Sequence, residues 1–247
     1  MKQFRIFGFK IIVLSFALFS NCTKAQERET ADKKLSIKEK SIITIASMTA
    51  KGDLEKLKTV LNTGLEAGLT VNEIKEVLVH TYAYCGFPRS IRGLQTFMEV
   101  LDERKAKGII DEPGKEASPI KEDGNKYQRG KNILEQLTKI PQSNTLAGYS
   151  TFAPVIDTFL KEHLFADIFE RDILTYTQRE LVTISVISAI GDAEPMLKSH
   201  LSIALNVGVS PEQLKDFIEI IKPIIGRMKT KAAKEVVNEV LKSRQAQ

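Results

Sequence analysis

The chain has 247 residues, 43% of them hydrophobic and 27% charged, with 14 glycines, 8 prolines and a formal net charge of +5. This composition supports a folded core and excludes a disordered or collagenous chain, and the lack of tryptophan and of interleaved basic and aromatic residues argues against nucleic-acid binding. The positive charge is concentrated at the front: residues 1–25 contain Lys2, Arg5, Lys10 and Lys24 and no acidic residue, so the remainder stands at only +1.

Residues 1–25 read as a signal peptide. Three basic residues precede an apolar run over 11–19 that is too short to span a membrane stably, and Thr23-Lys24-Ala25 puts small residues where a signal peptidase needs them. The expected product is exported, periplasmic or secreted, and begins at Gln26. Cys22 offers a lipid anchor as the alternative, although Phe19-Ser20-Asn21 before it fit a lipobox poorly. Cleavage leaves Cys85 as the sole cysteine, which excludes both a disulfide framework and an internal CxxC pair.

After a short linker at 26–34 the chain repeats itself. The stretch from Leu35 matches the stretch from Leu174, with Gly52-Asp53 on Gly191-Asp192 and, after a one-residue insertion, Gly68 on Gly208 and Gly86 on Gly226. The first copy is expected over 35–107 and the second, with leading helices, over 130–243; the turn-rich, charged segment 108–129 reads as a linker. Each copy is predicted to be helical throughout. Ser36-x-x-Glu39 and Thr175-x-x-Gln178 are capping boxes that open a first, nearly all-apolar helix. Leu54, Leu57, Val60, Leu61 and Leu65 give the stripe of a second helix, and Gly68 stops it. A third helix starts near Val71 or Pro211. Ahead of the second copy, helices are expected over 130–137 and 151–169.

The tandem copies, with G-D before the second helix, G-[LV]-[ST] before the third and Y-x-G-x-P after it, resemble the carboxymuconolactone decarboxylase and alkylhydroperoxidase-D-like superfamily. The resemblance implies an all-α fold of two alkylhydroperoxidase-D-like repeats. Its peroxidase branch uses a glutamate on the first helix and a CxxCxxxH motif on the second. In the second copy these positions fall on Glu180 and His200, but the two cysteines fall on Met196 and Ala193. In the first copy the same places hold Ser41, Val60, Lys56 and Asp53, so the relay is absent there. Without the thiol pair a peroxidase has neither nucleophile nor resolving group.

Glu180 and His200 are therefore the candidate catalytic pair. His200 sits within the stripe Ala193, Met196, Leu197, Leu201, Ala204, where its alternative role is a core histidine, and Glu180 sits one turn inside an apolar helix, where a carboxylate needs a partner. On the third helix of the first copy Glu73, Glu76, His80 and Tyr84 share one face, which is either solvated or the wall of a site. Glu73, His80, Tyr84, Cys85 and Met196 are the pocket-lining candidates. Cys85 falls on the apolar face and reads as a small hydrophobe, and Gly86 followed by Pro88 reads as a helix end. His163, in the aromatic stretch Lys161 to Phe169, reads as surface or interface. No His-x-x-x-His or His-x-x-Glu spacing supports a metal. The expectation is a cofactor-free acid/base enzyme on a small carbonyl, lactone or carboxylate compound, forming a homo-oligomer through Leu164, Phe165, Ile168 and Phe169. A thiol peroxidase and a non-catalytic binding scaffold are the alternatives.

Overall fold

A computed structural model describes residues 34–120 and 124–246. The proposed signal peptide, Cys22, the cleavage point after Ala25 and all but the last residue of the 26–34 linker lie outside the described residues. Those described are helical with no strand, in the order α1 (Ile37–Lys51), α2 (Leu54–Glu66), α3 (Val71–Ala106), α4 (Lys126–Thr138), α5 (Tyr149–Phe152), α6 (Pro154–Thr158), a π-helical segment (Phe159–Ile168), α7 (Tyr176–Ile190), α8 (Glu194–Asn206), α9 (Pro211–Ile225) and α10 (Arg227–Gln245).

The repeat is visible in how the ends are made. Four helices start with the same reciprocal box, in which a hydroxyl caps the N3 amide and the N3 side chain returns to the cap amide: Ser36 with Glu39, Thr70 with Glu73, Thr175 with Gln178, and Ser210 with Gln213. The third helix of each copy breaks at the matching glycine. Gly86 adopts φ 81°, ψ 160° and Gly226 φ 81°, ψ 170°, a region open essentially to glycine alone, and in both copies a further helix follows at once. The inserted residue has a local cost. Asp53 caps α2 by accepting from the Lys56 amide, whereas α8 begins at Ala193 with no side-chain cap and Asp192 is held at φ 54°.

Packing follows the same exchange. The two first helices, α1 and α7, lie against each other at the centre, α3 of the first copy packs on α7, and α9 of the second packs on α1. Being covered on several sides, α1 and α7 bury residues around their circumference, including Ile42, Ile43, Ile45, Leu181, Val182 and Ile184. Burial of each such side chain contributes roughly 1.5–3 kcal/mol before entropy is counted. The ion pairs obey the exchange as well: Arg179 on α7 meets Glu76 on α3, and Lys40 on α1 meets Asp216 on α9 at 3.3 Å.

The region between the copies departs from expectation in four ways. Helix α4 starts at Lys126, inside the predicted linker, because Asn125 caps it through the Tyr127 amide. The segment before it is docked: the Val71 and Asn72 amides donate to the carbonyls of Glu112 and Pro113. The single helix expected over 151–169 is instead α5, α6 and the π segment, because Pro154 has no amide proton and pushes Ala153 out of helical geometry, to φ −135° and ψ 79°. Leu164, Phe165, Ile168 and Phe169, predicted to mediate self-association, face inward onto Ile133, Leu137 and Ile203. Apolar side chains with a complementary apolar groove in their own chain bury there first.

Candidate active site

A cavity of about 690 Å³ lies where α8, the end of the first half of α3, α4 and the π segment converge. Its wall includes Tyr84, Met196, Ser199 and His200, with Leu134, Leu164 and Phe165 supplying apolar surface. His200 Nδ1 lies 3.0 Å from Glu180 Oε2, and Glu180 is fully buried behind it on α7. With Glu180 ionised, Nδ1 donates the hydrogen bond, and Nε2 becomes the nitrogen free to exchange a proton at the cavity. The capping box at the start of this helix is made by Thr175 and Gln178, which leaves Glu180 free for His200, and Thr177 donates to the Val207 carbonyl.

Behind this pair the two copies are tied together by a buried polar chain. Arg179, which has no exposed surface, donates to Glu76 Oε1 at 2.7 Å, to the Arg171 carbonyl at 2.6 Å and to His80 Nδ1 at 3.0 Å. A guanidinium can only donate, so His80 Nδ1 accepts and its proton is on Nε2, which donates to Thr183 Oγ1 at 3.0 Å. Burial, then the nearby Arg179 charge, hold His80 well below its ordinary pKa, and it is a neutral imidazole. Its ring lies 5.6 Å from that of Tyr84, which stands edge-on to His200 at 5.5 Å. Burial, with the Glu180 charge adding to it, raises the Tyr84 pKa far above the usual phenol range. The Tyr84 hydroxyl and Glu180 Oε1 are both sealed without a hydrogen-bond partner, so the centre of the site has little polar slack.

The remaining candidates sort by position. Tyr84, Met196 and His200 line the cavity, with Glu180 directly behind His200. His80 is buried a layer deeper. Glu73 is absent from the wall: it binds the Thr70 amide in the capping box and pairs with Lys38 at 3.7 Å. Cys85 is outside the wall as well; its thiol donates to the Thr81 carbonyl, and burial pushes its pKa up to about 11. The face carrying Glu76 and His80 is not solvated, because α7 covers it. His163 is half-exposed and bound to Asp167 at 2.9 Å. Sequence reasoning passed over Arg179, Thr183, Asp157 and Lys161. Arg179 stands in the first turn of a helix, where a charge ordinarily faces water, and no local pattern announces that α3 will cover it.

These features define a class: an all-helical tandem repeat whose second copy carries a carboxylate-supported histidine at a cavity. The model of the carboxymuconolactone decarboxylase family matches residues 17–97 and 154–239, and the chain belongs to that family. It is 28% identical over 121 residues to the 4-carboxymuconolactone decarboxylase of Acinetobacter baylyi, a match covering 49% of this chain and 90% of that protein. An uncharacterized protein of Methanocaldococcus jannaschii is 28% identical over 79 residues, 32% of this chain and 74% of its own length.

Proposed function

We propose that the chain is a cofactor-free acid/base enzyme acting on a small carbonyl, lactone or carboxylate compound, with His200 moving the proton and Glu180 holding the imidazole in place. The observation that carries this reading is the 3.0 Å contact between His200 Nδ1 and Glu180 Oε2 at the edge of the cavity. The name of the Acinetobacter relative supports decarboxylation as the first reaction to examine. In that reaction the bond to the leaving carboxylate breaks, its electron pair moves through the conjugated system onto the carbonyl oxygen, and His200 protonates the carbon α to that carbonyl as the enolate collapses.

The test is carbon dioxide release from 4-carboxymuconolactone, followed by a panel of related lactone acids and β-keto acids. His200→Ala should lower turnover by ~10²–10⁴ with the fold intact by circular dichroism. Turnover unchanged in His200→Ala would refute the assignment. A thiol peroxidase is disfavoured by Met196 and Ala193 at the cysteine positions and by the raised pKa of Cys85; peroxide consumption with a dithiol should be negligible and insensitive to Cys85→Ala. The pattern of residues 1–25 supports export, which an N-terminus at Gln26 by mass spectrometry of the mature protein would check. Exposed Phe152, Val155 and Phe159 support self-association, and light scattering that returns a monomer mass would refute it.

A further inference from the structure

The cavity has a second polar end, built by the helices that lead into the second copy. Asp157 on α6 and Lys161 on the π segment are buried in its wall, four residues apart, with Lys161 Nζ donating to Asp157 Oδ1 at 2.6 Å. The same carboxylate accepts from the Ser150 hydroxyl at 3.1 Å and from the Tyr127 hydroxyl at 2.6 Å. Asp157 is therefore well supplied with donors. Lys161 is not equally supplied with acceptors. An ammonium has three N–H groups; here one reaches Asp157, the Tyr127 hydroxyl is a second polar neighbour with its ring 4.9 Å from the nitrogen, and at least one N–H is left without an acceptor among the described residues.

Among the described residues Lys161 is the one lysine on the cavity wall, and no arginine joins it. Burial, the largest influence on its ammonium, works to lower its pKa, but the bonds to Asp157 and Tyr127 outweigh this and leave it raised. It is thus a fixed cation rather than an amine nucleophile at neutral pH. The same wall carries His200 and the apolar side chains of Leu134, Leu160, Leu164 and Phe165. A small flat organic acid meets all three demands: charge for Lys161, apolar body for the wall, and a reactive end for His200.

We infer that Lys161 is the anion-binding residue of this cavity, its uncommitted N–H holding a carboxylate or enolate oxygen of the substrate while Asp157, Ser150 and Tyr127 keep the ammonium in place. The orientation toward His200 rests on the acid/base reading given above; the anion site itself does not depend on turnover. Isothermal titration calorimetry on the full chain, with benzoate and its uncharged analogue benzamide as probes, tests it. Benzoate should bind more tightly than benzamide by about tenfold or more, the value of one charge-assisted hydrogen bond. Lys161→Met should remove that preference and Lys161→Arg should keep part of it. Because Lys161→Met leaves Asp157 without its cation, the double variant Asp157→Asn/Lys161→Met is run beside it; the asparagine oxygen still accepts from Tyr127 while its amide donates to the Ser150 hydroxyl, and this variant should fold and show no preference. Equal binding of the two probes by the wild type, undetectable benzoate binding at millimolar concentration, or a preference surviving in a folded Lys161→Met or double variant would each overturn the inference. His200→Leu should keep the benzoate preference, so failure of the acid/base reading, seen as unchanged turnover in His200 variants, is read separately.

Discussion

The buried pair of Glu76 and Arg179, joined by the partly exposed Arg171 donating to the same carboxylate at 3.0 Å, offers a measurement whose size is set mainly by burial. Neither side chain has more than 2% exposure, and Arg179 also donates to a carbonyl and to His80, both neutral acceptors. Replacing Glu76 with leucine removes the one negative charge in contact with that guanidinium among the described residues, and an uncompensated buried charge of this kind costs about 3–5 kcal/mol. For a domain of this size 1 kcal/mol corresponds to about 2–4 °C, so the melting temperature should fall by roughly 6–20 °C. The related pair, Lys40 with Asp216, provides the internal control. It has the same register in the repeat but 40% and 23% side-chain exposure, so Asp216→Asn should cost no more than about 1 kcal/mol. The double variant Glu76→Leu/Arg179→Leu, which buries no charge, should recover most of the loss. Urea denaturation followed by circular dichroism reads all of these. Equal, small effects at Glu76 and Asp216 would refute the claim that α3 and α7 seal the pair from water.

Stability should also depend on pH through His80. Its pKa is depressed in the fold and ordinary in the unfolded chain, so below about pH 6.5 the unfolded chain binds the extra proton. The His80 contribution should be flat above that pH and become destabilising as pH falls, and His80→Gln should remove this part of the slope in urea titrations; a wild-type slope of opposite sign would contradict a neutral buried imidazole. Gly86→Ala and Gly226→Ala should each cost about 1–3 kcal/mol, and similarly, since the two positions share their backbone angles; a cost at only one would show that the breaks are not equivalent. Gly130→Ala should destabilise as well, because an added methyl would sit 1.7 Å from the Lys161 carbonyl oxygen and force α4 off the π segment. A melting temperature unchanged in that variant would argue against the close packing. Glu180→Gln should lower turnover while keeping the fold, since the amide can fill the space without holding an imidazolium.

Much of the architecture was legible in the chain because its signals are local. Capping boxes at Ser36 and Thr175 act within one helical turn, and the glycines at 86 and 226 mark breaks that no other residue takes without strain. Glu180 and His200 could be nominated because the family resemblance places its relay positions on them, and because a carboxylate inside an apolar helix demands a partner. The environment of a charge, by contrast, is decided by what covers it. Arg179 and Lys40 occupy the same place in their copies, yet α3 seals the first while α9 leaves the second half-open. Glu73 reads like its neighbour Glu76, but one caps a helix start and the other anchors the buried chain. Asp157 and Lys161 come from a stretch without repeat or motif, and Phe165 and Phe169 read as an interface until α4 supplied the groove that takes them. Within the two copies, sequence by itself determined the main helices, their starts and the twofold repetition, which are written in spacings of a few residues. Only the tertiary structure decided which charges are buried and which groups share a cavity, because desolvation depends on neighbours brought together from far along the chain.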